Sequence, residues 1–120
     1  MQYLLLIYDN ERERMAMSQE ELLPMYRGYF TLRNDLEAAG KYVGGNPLEA
    51  TETATTVRVR NGKRTVTDGP FAETKEQLGG YFLVEAKDLD DAIDIAARIP
   101  GATFGSIEVR PIRPLAKLPD

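Results

Sequence analysis

Apolar residues are spaced along this chain in two rhythms, and these divide it into strands and helices. Tyr3-Leu4-Leu5-Leu6-Ile7-Tyr8 is a continuous apolar run bounded by Asp9-Asn10, the pattern of a central strand covered on both faces. Glu11 to Arg14 alternate in sign and read as a solvated loop. Ser18 and Glu21 form a capping box that predicts a helix from near Gln19. Pro24 inside it would remove a hydrogen bond and clash with the preceding turn. The expectation is a short turn to Leu23 and a main helix restarting with Pro24 in its first turn. Leu22, Tyr26, Tyr29, Leu32, Leu36 and Ala39 then give one buried stripe, and Gly40 supplies the left-handed cap.

Tyr42-Val43 reads as a short strand that ends in a turn at Gly44-Gly45-Asn46-Pro47. Thr55 to Arg60 and Lys63 to Thr67 flank Asn61-Gly62, the strongest short-range hairpin signal. A two-residue loop pairs Arg60 with Lys63, Arg58 with Thr65 and Val57 with Val66. Val57, Val59, Val66 and Arg64 then share one face, and a basic, hydroxyl-rich set including Arg58, Arg60 and Lys63 shares the other. A further strand runs from Gly80 to Ala86, with Phe82 and Val84 opposite Tyr81, Leu83 and Glu85. Asp88 caps a second helix whose stripe is Leu89, Ala92, Ile93, Ala96 and Ile99, ended by Pro100-Gly101. The last strand spans about Phe104 to Ile112, and Pro111 and Pro114 place it at an edge.

The order is strand, helix, strand, inserted hairpin, strand, helix, strand. Without the insert this is a split βαβ, ferredoxin-like α+β pattern, two helices on one face of an antiparallel sheet. Residues 1–114 make one domain and 115–120 a loose tail. Two helices leave the other sheet face bare, although it carries Tyr81, Leu83 and apolar positions of the first strand. A homodimer packed sheet to sheet is the simplest way to bury it.

Composition narrows the chemistry. At 120 residues the chain is one domain, burying about 65% of its unfolded surface. Its net charge of −4 gives no general attraction to nucleic acid or anionic membrane. Cysteine and histidine are both absent, which removes thiol chemistry, the commonest metal ligand and the usual neutral-pH titrating group. The opening apolar run is too short to span a membrane and has no basic flank, so the cytoplasm is the expected location.

One segment is more specific than any of these. Asp68-Gly69-Pro70-Phe71-Ala72-Glu73-Thr74-Lys75-Glu76-Gln77-Leu78-Gly79-Gly80-Tyr81 leads directly into an apolar strand. It resembles the signature of the DGPF group of YCII-related proteins. The likeness extends over Tyr3 to Tyr8, Gly44-Gly45, Thr55 to Arg60 and Gly105 to Ile112. It implies a ferredoxin-like fold and a dimer of the dimeric α/β-barrel kind. Relatives in the broader group resemble enzymes with a histidine–aspartate pair, chemistry that a chain without histidine does not inherit. The resemblance also implies a regulatory link to extracytoplasmic-function sigma factors.

Asp68, Glu73 and Lys75 are the catalytic candidates: a carboxylate base at a cleft mouth, and a lysine between acids suited to orient a carboxylate or hold an anion. Their plain readings are a turn former at Asp68 and a solvated charged turn at Glu73 to Glu76. Phe71 reads as a core or interface anchor. Gly79-Gly80 precede a strand, not a helix, so close packing or a bulge explains them better than phosphate binding. Tyr8, Tyr81, Glu108 and Arg110 form the candidate ligand set on the sheet face away from the helices. There an acid and an arginine must pair or meet a ligand; an interface ion pair is the alternative.

Two functions follow. One is a small-molecule site, catalytic or not, in a sheet-lined cleft, without metal or organic cofactor. The other is a non-catalytic regulatory protein that docks a partner such as a sigma factor through the hairpin and motif loop. A cofactor-free monooxygenase is weakened by the missing histidine and tryptophan.

Overall fold

The computed structural model describes residues 1–116. Its strands are β1 (Gln2–Asp9), β2 (Tyr42–Pro47), β3 (Thr55–Arg60), β4 (Lys63–Asp68), β5 (Gln77–Glu85) and β6 (Ser106–Pro111). Its helices are α1 (Glu11–Met15), α2 (Gln19–Ala38) and α3 (Leu89–Ala97), with 3-10 turns at Thr51–Thr53 and Pro100–Thr103. The architecture is mixed α+β. One antiparallel sheet has the order β2-β5-β1-β6, and β3-β4 forms a second sheet by itself.

Strand alternation sets the layers. Along β1, Tyr3, Leu5, Ile7 and Asp9 are buried, while Leu4, Leu6 and Tyr8 are half-buried. The apolar run is therefore central, but the single chain covers only one of its faces fully. Tyr3, Leu5 and Ile7 meet Phe82 and Val84 of β5, Leu32 and Leu36 of α2, and Ala92, Ile95 and Ala96 of α3. Each large side chain buried this way stabilises by about 1.5 to 3 kcal/mol. Leu4, Leu6, Tyr81 and Leu83 face the other way and are half-buried.

Several sequence expectations hold in detail. Ser18 and Glu21 make the reciprocal capping box, and Asp88 accepts from Asp91 N at the start of α3. Gly40 adopts φ 70°, so that Lys41 N bonds to Leu36 O and Gly40 N to Glu37 O beyond the end of α2. The hairpin register is Arg60 with Lys63, Arg58 with Thr65 and Val57 with Val66, turned by Asn61 and Gly62 at positive φ. β6 is an edge strand.

Other expectations are overturned. Glu11 to Arg14 is helix α1, not a loop: the Asn10 side chain accepts from Glu13 N, and the charges suit the helix ends. α2 runs unbroken through Pro24, its sixth residue, leaving Glu20 O without its helical donor. Gly44 to Pro47 lies within β2, and β5 begins at Gln77. Backbone proximity explains the glycine: a Cβ on Gly45 would lie 2.8 Å from Tyr81 O and 2.9 Å from Phe82 Cδ1. β6 is shorter than expected, starting at Ser106. In α3 the buried positions are Ala92, Ile95 and Ala96, whereas Leu89 and Ile93 are exposed. Tyr26 and Ala39 are exposed too, so the stripe of α2 is buried chiefly at Leu32 and Leu36. Phe71, 79% exposed, belongs to no core. Of the expected tail, Lys117 to Asp120 lie outside the described residues. Among the described residues, no helix is long and apolar enough to cross a membrane.

Candidate functional site

Two polar centres lie at β1, one on each face of the sheet. The outer one is built by register. β1 runs between β5 and β6, so Leu6 stands between Tyr81 and Glu108, and Leu4 between Leu83 and Arg110. Tyr8 Oη donates to Glu108 Oε1 at 3.3 Å, and Arg110 Nε donates to Glu108 Oε2 at 2.8 Å. The Arg110 hydrogen bond holds the Glu108 carboxyl below its ordinary range. Burial, then the Glu108 charge, pushes the Tyr8 phenol up. Tyr81 is one strand away, its oxygen accepting from Asn46 Nδ2 at 2.9 Å. Three of the four expected ligand residues are thus joined directly, and the fourth shares their face.

The catalytic candidates are not gathered there. Asp68 ends β4, and Glu73 and Lys75 lie in the following loop, all three exposed. The carboxylate of that loop which reaches the sheet is Glu76, accepting from Ser106 Oγ at 2.8 Å.

The inner centre was not anticipated. Asp9, the last residue of β1, is 7% exposed and is the one buried charged residue among the described residues. Arg14 of α1 donates through Nε to its Oδ2 at 2.6 Å. The second oxygen, Oδ1, is buried and has no hydrogen-bond partner among the described residues. Beside it, β5 carries an extra residue: Ile7 faces Gly80 and Tyr8 faces Leu78, leaving Gly79 as a bulge. A Cβ on Gly79 would stand 3.7 Å from Asp9 Oδ1 and 3.8 Å from an Arg14 Nη. These are ordinary contact distances, so glycine leaves a methyl-sized space beside Oδ1 while the oxygen itself stays out of solvent. Burial pushes the nearby Tyr29 phenol above its ordinary 10.0; a Gly101 backbone hydrogen bond opposes the shift and the Asp9 charge adds to it.

Arg14 also lines an open hollow of about 270 Å³ with Met15, Pro47, Leu48, Glu49 and Ala50, which Asp9 itself does not line. Its walls are tied together. Glu11 accepts from Thr51 N at 2.8 Å and Thr51 Oγ1 at 2.7 Å, and Leu48 N donates to Gly79 O at 2.9 Å. The Thr51 hydroxyl bond holds the Glu11 carboxyl below its ordinary range. Arg14 keeps donors beyond the one used on Asp9, and Asp9 keeps a free acceptor. The sequence did carry one signal: Asp9 shares the inward parity of Tyr3, Leu5 and Ile7. Among the described residues no cluster of three acidic ligands is placed to hold a metal ion.

The fold and these centres define a small α+β domain whose polar groups gather at one end of an antiparallel sheet. Within that class, a YCII-related domain matches residues 1–116, and the chain belongs to this family. An uncharacterised protein of Rhizobium meliloti (strain 1021) is 40% identical over 114 residues, 93% of this chain and 92% of that protein. Among solved structures, the chain is similar to 5-chloro-2-hydroxyhydroquinone dehydrochlorinase from Burkholderia phenoliruptrix AC1100, in complex with 2,5-dihydroxybenzoquinone. The TM-score is 0.53 at 17% identity, covering 94% of each chain, a likeness of fold.

Proposed function

We propose that the protein binds a small hydroxylated molecule at the inner centre, with Asp9 and Arg14 as its polar floor. The observation that carries this reading is the buried Asp9 Oδ1, which has no partner among the described residues and lies next to Gly79, where no side chain fills the space. A buried acceptor without a partner costs about 1 to 3 kcal/mol, and a donor hydroxyl would remove that cost. A neighbouring carbonyl or hydroxyl oxygen of the same ligand would accept from the remaining Arg14 donors. The dihydroxybenzoquinone held by the dehydrochlorinase supports this ligand class by analogy of fold. Tyr29, whose phenol burial holds in the protonated form, is suited to hydrogen-bond such a ligand rather than to release a proton to it.

The test is a thermal-shift panel of catechols, hydroxyquinones and polyols on the wild type, Asp9→Asn and Tyr81→Phe. A ligand at one hundred times its dissociation constant stabilises by about 2.7 kcal/mol. That gain is expected in the wild type and Tyr81→Phe and absent in Asp9→Asn. An equal gain in Asp9→Asn would sink the reading.

The outer centre supports a second reading. We read the sheet order as the split βαβ, ferredoxin-like arrangement and its half-buried outer face as a homodimer contact of the dimeric α/β-barrel kind. Tyr8, Tyr81, Glu108 and Arg110 then line the space between two sheets, as a ligand cleft or an interface ion pair. We read Asp68 to Phe71 as the mark of the DGPF branch of the family. No observation favours a sigma factor as partner, and that reading is dropped.

A further inference from the structure

Asp9 Oδ1 is out of solvent, and the side chain bonded to the same carboxylate is Arg14 of α1. Anything that meets Oδ1 from outside has to pass that helix. α1 is poorly rooted in the fold. It is five residues long, none of them is buried, and its one apolar side chain, Met15, is 62% exposed. An element without buried apolar contacts opens locally at a small fraction of the cost of global unfolding.

Polar contacts hold α1 in place instead. Arg14 Nε donates to Asp9 Oδ2 at 2.6 Å, and Glu11 N donates to Gln77 Oε1 at 3.0 Å. The Glu11 carboxylate accepts twice from Thr51, from N at 2.8 Å and from Oγ1 at 2.7 Å. Hydrogen bonds to an ionised group are about twice as strong as neutral ones, so Glu11 and Thr51 make the main fastening away from Asp9. Thr51 is itself anchored. It follows the segment from Pro47 to Ala50, in which Leu48 N donates to Gly79 O at 2.9 Å, beside Asp9. The segment is thereby pinned to the sheet, and α1 is fastened to the segment.

We propose that α1 is a lid over Asp9, latched by Glu11 on Thr51, which lifts to uncover Oδ1 while the core stays folded. What the lid admits rests on the ligand reading above; its motion is measured without any ligand.

Carboxyl labelling with a carbodiimide and glycine ethyl ester, followed at Asp9 by mass spectrometry, tests the lid on the ligand-free full chain. Amide exchange at Leu32 and Leu36 reports global opening alongside it. In the wild type the amides of Arg14 and Ala16 should exchange at least about 100-fold faster than those of Leu32 and Leu36. Thr51→Val should speed Asp9 labelling about 10-fold. Glu11→Gln, which keeps the shape of the latch and removes its charge, should speed it less. Val84→Ala is the control: Val84 is fully buried and pairs with Tyr3, at the other end of β1. It should speed exchange at Leu32 and Leu36 and leave Asp9 labelling unchanged. Asp9 labelling that rises in step with Leu32 and Leu36 exchange in Val84→Ala overturns the lid, as does labelling indifferent to Thr51→Val. If the thermal-shift panel finds no ligand while these rates come out as expected, the ligand reading falls and the lid stands.

Discussion

At the scale of single residues, burial and proximity decide what each side chain does. Asp9 and Arg14 form a pair with side chains only 10% and 27% exposed. Arg14→Ala would strand a buried carboxylate, and urea unfolding should show a loss of about 3 to 5 kcal/mol. Arg110→Ala removes a partner that is 69% exposed and should cost under about 1 kcal/mol. The two arginines look alike in the sequence, so the ratio of these losses checks the assignment of faces. Gly45→Ala drives a methyl into Tyr81 O and Phe82 and should cost about 1 to 3 kcal/mol. The outer set was legible because strand alternation assigns Tyr8, Tyr81, Glu108 and Arg110 to one face without any knowledge of packing. Asp9 was harder. Its burial depends on α1 closing over it, and a helix with four charged residues in five looks like a loop.

At the scale of elements, local chemistry marked starts and stops better than interiors. Ser18 and Asp88 act through side-chain caps on the adjoining backbone and Gly40 and Asn61-Gly62 through positive φ, all local effects, and each was readable. Pro24 misled because a missing hydrogen bond costs less than ending a helix that Leu32 and Leu36 anchor in the core. Replacing it restores the bond to Glu20 O; Pro24→Ala should raise stability by about 1 to 3 kcal/mol and increase far-UV helicity. In α3 the periodicity of Leu89, Ile93 and Ile95 permits two faces. Only the position of the sheet selects Ile95 and leaves Leu89 and Ile93 exposed.

At the scale of the whole molecule, the strand sequence made the four-stranded sheet and separate hairpin legible, and the hollow illegible. The hollow exists because α1 and the segment from Pro47 to Ala50 meet, residues with no common pattern. Charge has a global consequence as well. Glu11, Glu21 and Glu108 are held below their ordinary 4.5, and Asp91 below 3.8, chiefly by hydrogen bonds from Thr51, Ser18, Arg110 and Lys87. A lowered carboxyl pKa contributes stability above the unfolded value and loses it as pH falls through the folded one. With no histidine to titrate, the melting temperature should be flat from about pH 6 to 8. It should fall once acidification passes 4.5. Thr51→Val should lower the melting temperature at neutrality and make the acid decline shallower.

The unmatched Gly79 has one more implication, for how this chain tolerates changes in length. It acts as a phase shifter: residues upstream keep their own in-and-out beat, and Phe82 and Val84 keep theirs. Lengthening or trimming the stretch from Pro70 to Thr74 leaves both beats intact. Excising Gly79 alone would leave Leu78 abreast of Tyr8 and Gln77 abreast of Asp9, so the ladder would simply lose its kink and the chain should tolerate the loss in folding.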